Sequence, residues 1–300
     1  MRVLIAAMLM CLNGFVVAAE DPPPNVLASI EPVAMLLREV LGDAVRVETL
    51  MLPNQTPHNA SFTPGQARQV READLLVWLG ADAEPGMAGL LKRHGGRQLA
   101  LTDLDGVYRR DGDEGHEHHD HHDDDDAHHH HGLLDPHLWL YPANMRRLAQ
   151  ALPAEAEALG LSRDDVSQRV AAFEAALTET EAAVRAALAP VASTPYLSHH
   201  DAWAYFSDAF GVRRPLVINH NIEASASSRR FVELSSIMQA QQVHCVMAEP
   251  EARRALLERL CREQCRLVQA DPLGRDVAGG TYNALLTHLQ GLFSQCLTTP

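Results

Sequence analysis

Short apolar runs and helix-like stretches alternate in two separate blocks of the 300-residue chain, and this rhythm limits the fold more than any other feature. In the first block NVLASI precedes a helical pattern from about Val33 to Leu41. AVRVETLM, a helix opening near Pro64, DLLVWLG, a helix near Met87 and RQLALTD follow. The second block holds TPYLSHH, a helix from Ala202 to Phe210, RPLVIN, a helix from about Arg229 to Gln241, and HCVMAE. It ends with a helix to about Arg262, CRLVQADPLG and a terminal helix from Tyr282. Strand then helix, repeated, predicts an α/β fold of two lobes, each with a mainly parallel sheet flanked by helices.

Between the blocks lies LSRDDVSQRVAAFEAALTETEAAVRAALAP. Ser162 and Asp165 resemble a capping box, Val166, Val170, Phe173, Leu177, Val184 and Leu188 recur at helical spacing, and Pro190 ends the run. Such a helix spans roughly 40 Å, enough to join two lobes. The expected organisation is a signal peptide over 1–19, a first lobe over 20–160, a linking helix over 161–190 and a second lobe over 191–300. The signal rests on Arg2, an apolar run, and Val17 and Ala19 at the −3 and −1 cleavage positions. It implies export, and a run this short argues against a membrane span.

Export also bears on the cysteines. Without Cys11, four remain, Cys245, Cys261, Cys265 and Cys296, in a compartment that permits disulfides. Three pairings are open. Cys245 in a strand-like run and Cys296 near the chain end favour a bridge that ties down the terminal helix. Cys261 and Cys265 then close a short loop or stay reduced.

The net charge is −14, but the stretch from Asp111 to Asp126 carries seven Asp and two Glu with no Lys or Arg. The remainder is only mildly acidic, and no basic face suits nucleic acid. The acidic stretch overlaps HEHHDHHDDDDAHHHH, with His116, His118, His119, His121, His122, His128, His129, His130 and His131. Almost devoid of apolar residues, the segment 111–132 is expected to be a disordered loop that holds several metal ions weakly.

Eight histidines lie elsewhere. His58, in LPNQTPHNASFTPGQ, and His200, in SHHDAWAYF, each fall where a strand gives way to a helix. Ligands of open α/β sheets bind there. His137, in DPHLWLYP, is flanked by an apolar and aromatic shell. Three imidazoles converging between the lobes would form a nitrogen-rich metal site, with Asp271 of QADPLG as a fourth ligand or as a hydrogen-bond acceptor behind it. Of His199 and His200 only one is expected to face the cleft. Trp78, Trp139 and Trp203 read as core.

The ordered set PHNASFTPGQARQVREADLLVWLG, the His- and Asp-rich insertion, HLWLYP, the long helix, HHDAWAYF, CVMAEP and DPLG resembles the periplasmic zinc-binding components of bacterial zinc ABC transporters. These belong to a wider group of receptors for zinc, manganese and iron. The resemblance implies metal ligands at His58, His137 and His200, a nearby carboxylate at Asp271, and a single long helix that limits hinge closure. It also implies the Cys245–Cys296 pairing, and delivery of the ion to a membrane permease driven by a cytoplasmic ATPase. The implied protein is a periplasmic monomer that captures Zn²⁺ and is not an enzyme, with the His-rich loop as an accessory collector.

Two departures stand out. Pro57 occupies the position where some members carry a glutamate, so Asp271 or water must complete the shell. VINHNIEASASSRR differs from the loop usual there, leaving His220 and Glu223 without a matched role. Three neutral imidazoles and one oxygen suit Zn²⁺ better than manganese. The alternatives are a manganese or iron receptor, a periplasmic zinc buffer, and a secreted zinc hydrolase. The last lacks a His-Glu-x-x-His helix and a placed general base.

Overall fold

A computed structural model describes residues 22–58, 61–91, 94–111, 134–219, 228–261, 265–277 and 280–298. The signal-like segment, the His-rich run, His220 and Glu223 lie outside these residues.

The first sheet is built from β1 (Asn25–Ala28), β2 (Arg46–Thr49), β3 (Leu75–Trp78) and β4 (Arg97–Ala100), in the order β2-β1-β3-β4. The second repeats the plan with β5 (Leu197–His200), β6 (Leu216–Asn219), β7 (Cys245–Ala248) and β8 (Arg266–Gln269), in the order β6-β5-β7-β8. All pairings are parallel. Fully buried strands such as Leu75–Trp78 read as continuous apolar runs because helices cover both faces. In each lobe the strand order reverses beside the first strand, which opens a crevice at the carboxyl ends of the central pair.

Helices fill the connections: α1 (Glu31–Leu41), α2 (Pro64–Glu72), α3 (Ala88–Leu91), α4 (Pro142–Ala151) and α5 (Pro153–Ala156) in the first half. α7 (Ala204–Phe210), α8 (Ser228–Ala240), α9 (Arg254–Cys261) and α10 (Tyr282–Leu297) belong to the second. Between them runs α6 (Arg163–Leu188), 26 residues long. The Ser162 side chain caps it by accepting from Asp165 N at 3.2 Å. Its buried stripe is Val166, Val170, Phe173, Leu177, Val184 and Leu188, the apolar spacing seen in the sequence.

α6 packs on α1 and α4 of the first lobe and on α7 and α10 of the second. As a result one apolar core runs from Val26 to Leu297 and includes side chains of both sheets and the long helix. The three tryptophans are buried as expected. Two disulfides are present. Cys245–Cys296 ties α10 to β7 with a Cα–Cα distance of 5.4 Å, and Cys261–Cys265 closes the end of α9.

Candidate metal centre

The loop after β2 carries His58, and two glutamines hold it. Gln66, in the first turn of α2, completes a reciprocal cap with Thr63. It also donates to Leu50 O at 2.8 Å and to Gln55 Oε1 at 2.7 Å. Gln55 in turn donates to Ser61 O at 2.7 Å and accepts from Leu52 N at 2.9 Å. Both amides are buried, so each bond replaces water that the loop would otherwise need. His58 is thereby presented at the mouth of the cleft. It is exposed as a residue, while its ring centroid lies 5.1 Å from that of His137 and 5.3 Å from that of His200.

His137 is fixed from behind. Asp135 Oδ1 accepts from both His137 N, at 3.0 Å, and His137 Nδ1, at 2.8 Å. Two residues after the histidine, Trp139 is bonded twice to the second lobe: its Nε1 donates to Pro272 O at 2.8 Å and its carbonyl accepts from Tyr282 Oη at 2.7 Å. His200 ends β5, and its Nδ1 donates to Glu249, which directly follows β7. His137, His200, Asp135 and Glu249 are all buried.

These carboxylates set which tautomer the neutral rings take. A carboxylate accepts, so each Nδ1 it holds carries the hydrogen and each Nε2 is left as a bare lone pair. The Nε2 atoms nevertheless face one another: His58 to His137 at 3.4 Å and His200 to His137 at 3.3 Å. The lone pairs of His137 and His200 repel at that distance unless a cation lies between them. A tetrahedron with zinc–nitrogen arms of about 2.05 Å has edges of about 3.3 Å. The donor set and its spacing therefore fit a Zn²⁺ ion, and the surrounding cavity, about 10 Å³, admits a single small occupant.

A family model described as zinc-uptake complex component A, periplasmic (ZnuA), matches residues 26–296. The chain belongs to this family. A high-affinity zinc uptake system protein ZnuA of Yersinia pestis is 26% identical, the match covering 99% of this chain and 97% of the relative. Its counterpart in Paracoccus denitrificans is 30% identical over 91% of this chain and 92% of the relative. A crystal structure of ZnuA aligns with a TM-score of 0.78 at 21% identity, covering 92% of this chain and 100% of that one. The periplasmic zinc-binding protein TroA from Treponema pallidum aligns at 0.72 and 20% identity, over 93% and 100%. These structural likenesses establish the two-lobed ZnuA fold.

Asp271 lines the same cavity, but its oxygens are occupied. Arg275 grips them with Nε at 2.7 Å and Nη2 at 3.0 Å, and the backbone N–H groups of Leu273 and Arg275 donate at 3.0 Å each. Burial works against the Arg275 charge, yet Asp271 and Glu251 hold its pKa above the ordinary value. The cluster of possible ligand atoms contains His58, His137 and His200 and does not extend to Asp271 among the described residues.

His199 does not simply turn away from the cleft, as strand alternation implies. Its Nδ1 approaches the same Glu249 oxygen, at 3.9 Å, while His200 alone reaches the other two ligand candidates. Burial by itself raises the Glu249 carboxyl pKa, but His200 and then His199 outweigh it and bring it down to about 2. Although His58 is exposed as a residue, its ring turns into the cavity against His137 and His200, and loss of water there is the largest influence on it. Together with the charges that His137 and His200 carry when protonated, it holds the His58 pKa at about 3, against a smaller upward pull from Glu249.

Sequence reasoning gave Asp135 and Glu249 no role. The signal for Asp135 was its spacing: an Asp two residues before a candidate ligand can bond both its backbone N–H and its ring. Glu249 sits in a quoted motif, CVMAEP, but only the fold brings that strand end beside β5.

Proposed function

We propose that this protein is a periplasmic receptor that captures Zn²⁺ as cargo at His58, His137 and His200 and delivers it to the membrane permease of an ABC transporter. The observation that carries this reading is His137 Nε2 at tetrahedral zinc spacing from both His58 Nε2 and His200 Nε2, with the opposite nitrogens of His137 and His200 held by buried carboxylates. Membership of the ZnuA family and the names of its relatives support the same reading. Residues 1–19 direct export, 20–160 and 191–300 form the two lobes, and 161–190 links them.

Binding follows from the neutral state of the rings. Imidazole ligates through a lone pair, and His58, with its pKa near 3, presents one without releasing a proton at neutral pH. Asp135 and Glu249 accept from the Nδ1 protons of His137 and His200, which makes those rings more basic toward the ion and fixes their aim. With Asp271 bound to Arg275, water takes the fourth position. The histidines from His116 to His131 act as a weak collecting arm, separate from the tight site.

Elemental analysis of tag-free protein is expected to give zinc. His58→Ala combined with His200→Ala is expected to abolish tight binding in a form lacking residues 113–131. Retention of nanomolar affinity in that form would overturn the assignment. Assay of the zinc-loaded protein on peptide and ester substrates tests the hydrolase alternative, and turnover lost with His137→Ala would favour it.

A further inference from the structure

Arg110 stands outside the three-histidine cage but touches what holds it. It lies at the neck of the acidic segment, beside the bridge between Asp111 and Leu134. Its carbonyl accepts from Asp135 N at 3.0 Å, and its Nε faces Asp135 Oδ2 at 3.8 Å. The other oxygen of that carboxylate is the one that holds the His137 ring. Toward the second lobe, Arg110 Nη1 donates to Asp208 Oδ2 at 2.7 Å and Arg110 N donates to the Tyr205 hydroxyl at 2.8 Å. Asp208 and Tyr205 both belong to α7, which begins just after His200. Tyr108 adds a bond to Asp208 at 3.0 Å.

One guanidinium therefore faces a carboxylate from each lobe, and each carboxylate lies close in the chain to a proposed ligand. The side chains are largely enclosed, 14% exposed for Arg110 and 7% for Asp135, so water and salt screen this contact less than a surface pair. Without the cation, Asp135 Oδ2 would have no charged partner to hold the carboxylate plane. The Oδ1 to Nδ1 bond would then lose its direction.

We propose that Arg110 is a positioning residue of the metal centre. By attracting Asp135 on one side and gripping Asp208 on the other, it sets where His137 Nε2 stands relative to His200 Nε2. The inference rests on the zinc-receptor reading, and the test separates the two.

Zn²⁺ affinity is measured on the purified chain with a competing chelator. Arg110→Met is expected to weaken binding about 10- to 100-fold, the usual effect of losing a partner behind a ligand. Arg110→Lys is expected to restore part of the loss. In the presence of Asp135→Asn, Arg110→Met is expected to add about twofold or less, because its effect passes through that carboxylate. A general loss of stability would add in full and would not recover with Lys. Unchanged affinity in Arg110→Met, or full additivity with Asp135→Asn, would overturn the proposal. Should Arg110→Met not fold, Arg110→Gln is read by the same criteria. Failure of the unsubstituted chain to bind Zn²⁺ would instead overturn the reading of the three histidines.

Discussion

The two lobes share a strand order but offer their histidines differently. In the second lobe His200 is the last residue of a buried strand, 2% exposed, with Glu249 of the neighbouring strand end behind it. In the first lobe His58 rides on an irregular loop, exposed, with glutamine amides bracing the backbone on either side of it. His137 falls between these cases: it is outside any strand, yet it is buried and backed by Asp135. The contrast teaches that this cleft has a buried floor and an exposed rim. The floor histidines owe their aim to buried carboxylates, whereas the rim histidine sits on a backbone held by glutamine amides.

That division can be broken experimentally, first at the floor. His200→Ala is expected to have the largest effect, lowering Zn²⁺ affinity at least about a thousandfold, since it removes a proposed ligand and leaves buried Glu249 with only the more distant His199. Competition titration with a chelator measures it, and a loss below tenfold would contradict the assignment of His200 as a ligand. Next come Asp135→Asn and Glu249→Gln, each expected to cost about 10- to 100-fold while the three imidazoles remain. The same titration would count against a floor held by charge if both variants bound like the unsubstituted protein.

The pH dependence of the metal-free protein separates rim from floor by its window. The folded His58 pKa, near 3, lies below the ordinary 6.5, so the unfolded chain takes up a proton that the folded chain refuses. Stability is therefore expected to fall as pH drops below about 6.5. Glu249, near 2 when folded against an ordinary 4.5, contributes stability that is complete above 4.5 and fades as pH falls toward 2. Denaturant titrations at pH 7.5, 6, 5, 4 and 3 should show His58→Gln flattening the upper window and leaving the lower one. An unchanged upper window would remove His58 as its source.

The smallest effect is expected at the loop brace. Gln66→Ala removes the reciprocal cap and two bonds to the His58 loop, costing about 1 to 2 kcal/mol of stability by chemical denaturation. Zinc affinity is expected to fall less than in the floor variants. A larger affinity loss than in Glu249→Gln would reverse the ranking of rim and floor.

The alternation of strands and helices was legible because parallel strands buried on both faces must be apolar throughout, as Leu75–Trp78 is. The long helix was legible for a related reason: one side of it packs against both lobes while the other meets water. His58, His137 and His200 were legible through their places at element ends and the motifs around them. Glu249 and Arg110 were not, because their meaning comes from pairings between strand ends and between lobes that no local pattern encodes. Asp271 shows the converse limit. The sequence marks it as a carboxylate at the right strand end, but it cannot show that Arg275, close by in the chain, already occupies both oxygens.

The unbroken apolar core from Val26 to Leu297 also sets a cost on opening the cleft. Swinging the lobes wide apart would expose side chains that both share, at about 25 cal/mol for each Å² uncovered, so such excursions are rare. On the proposed reading, the exposed His58 is then the side of the cleft from which an ion can pass without that cost.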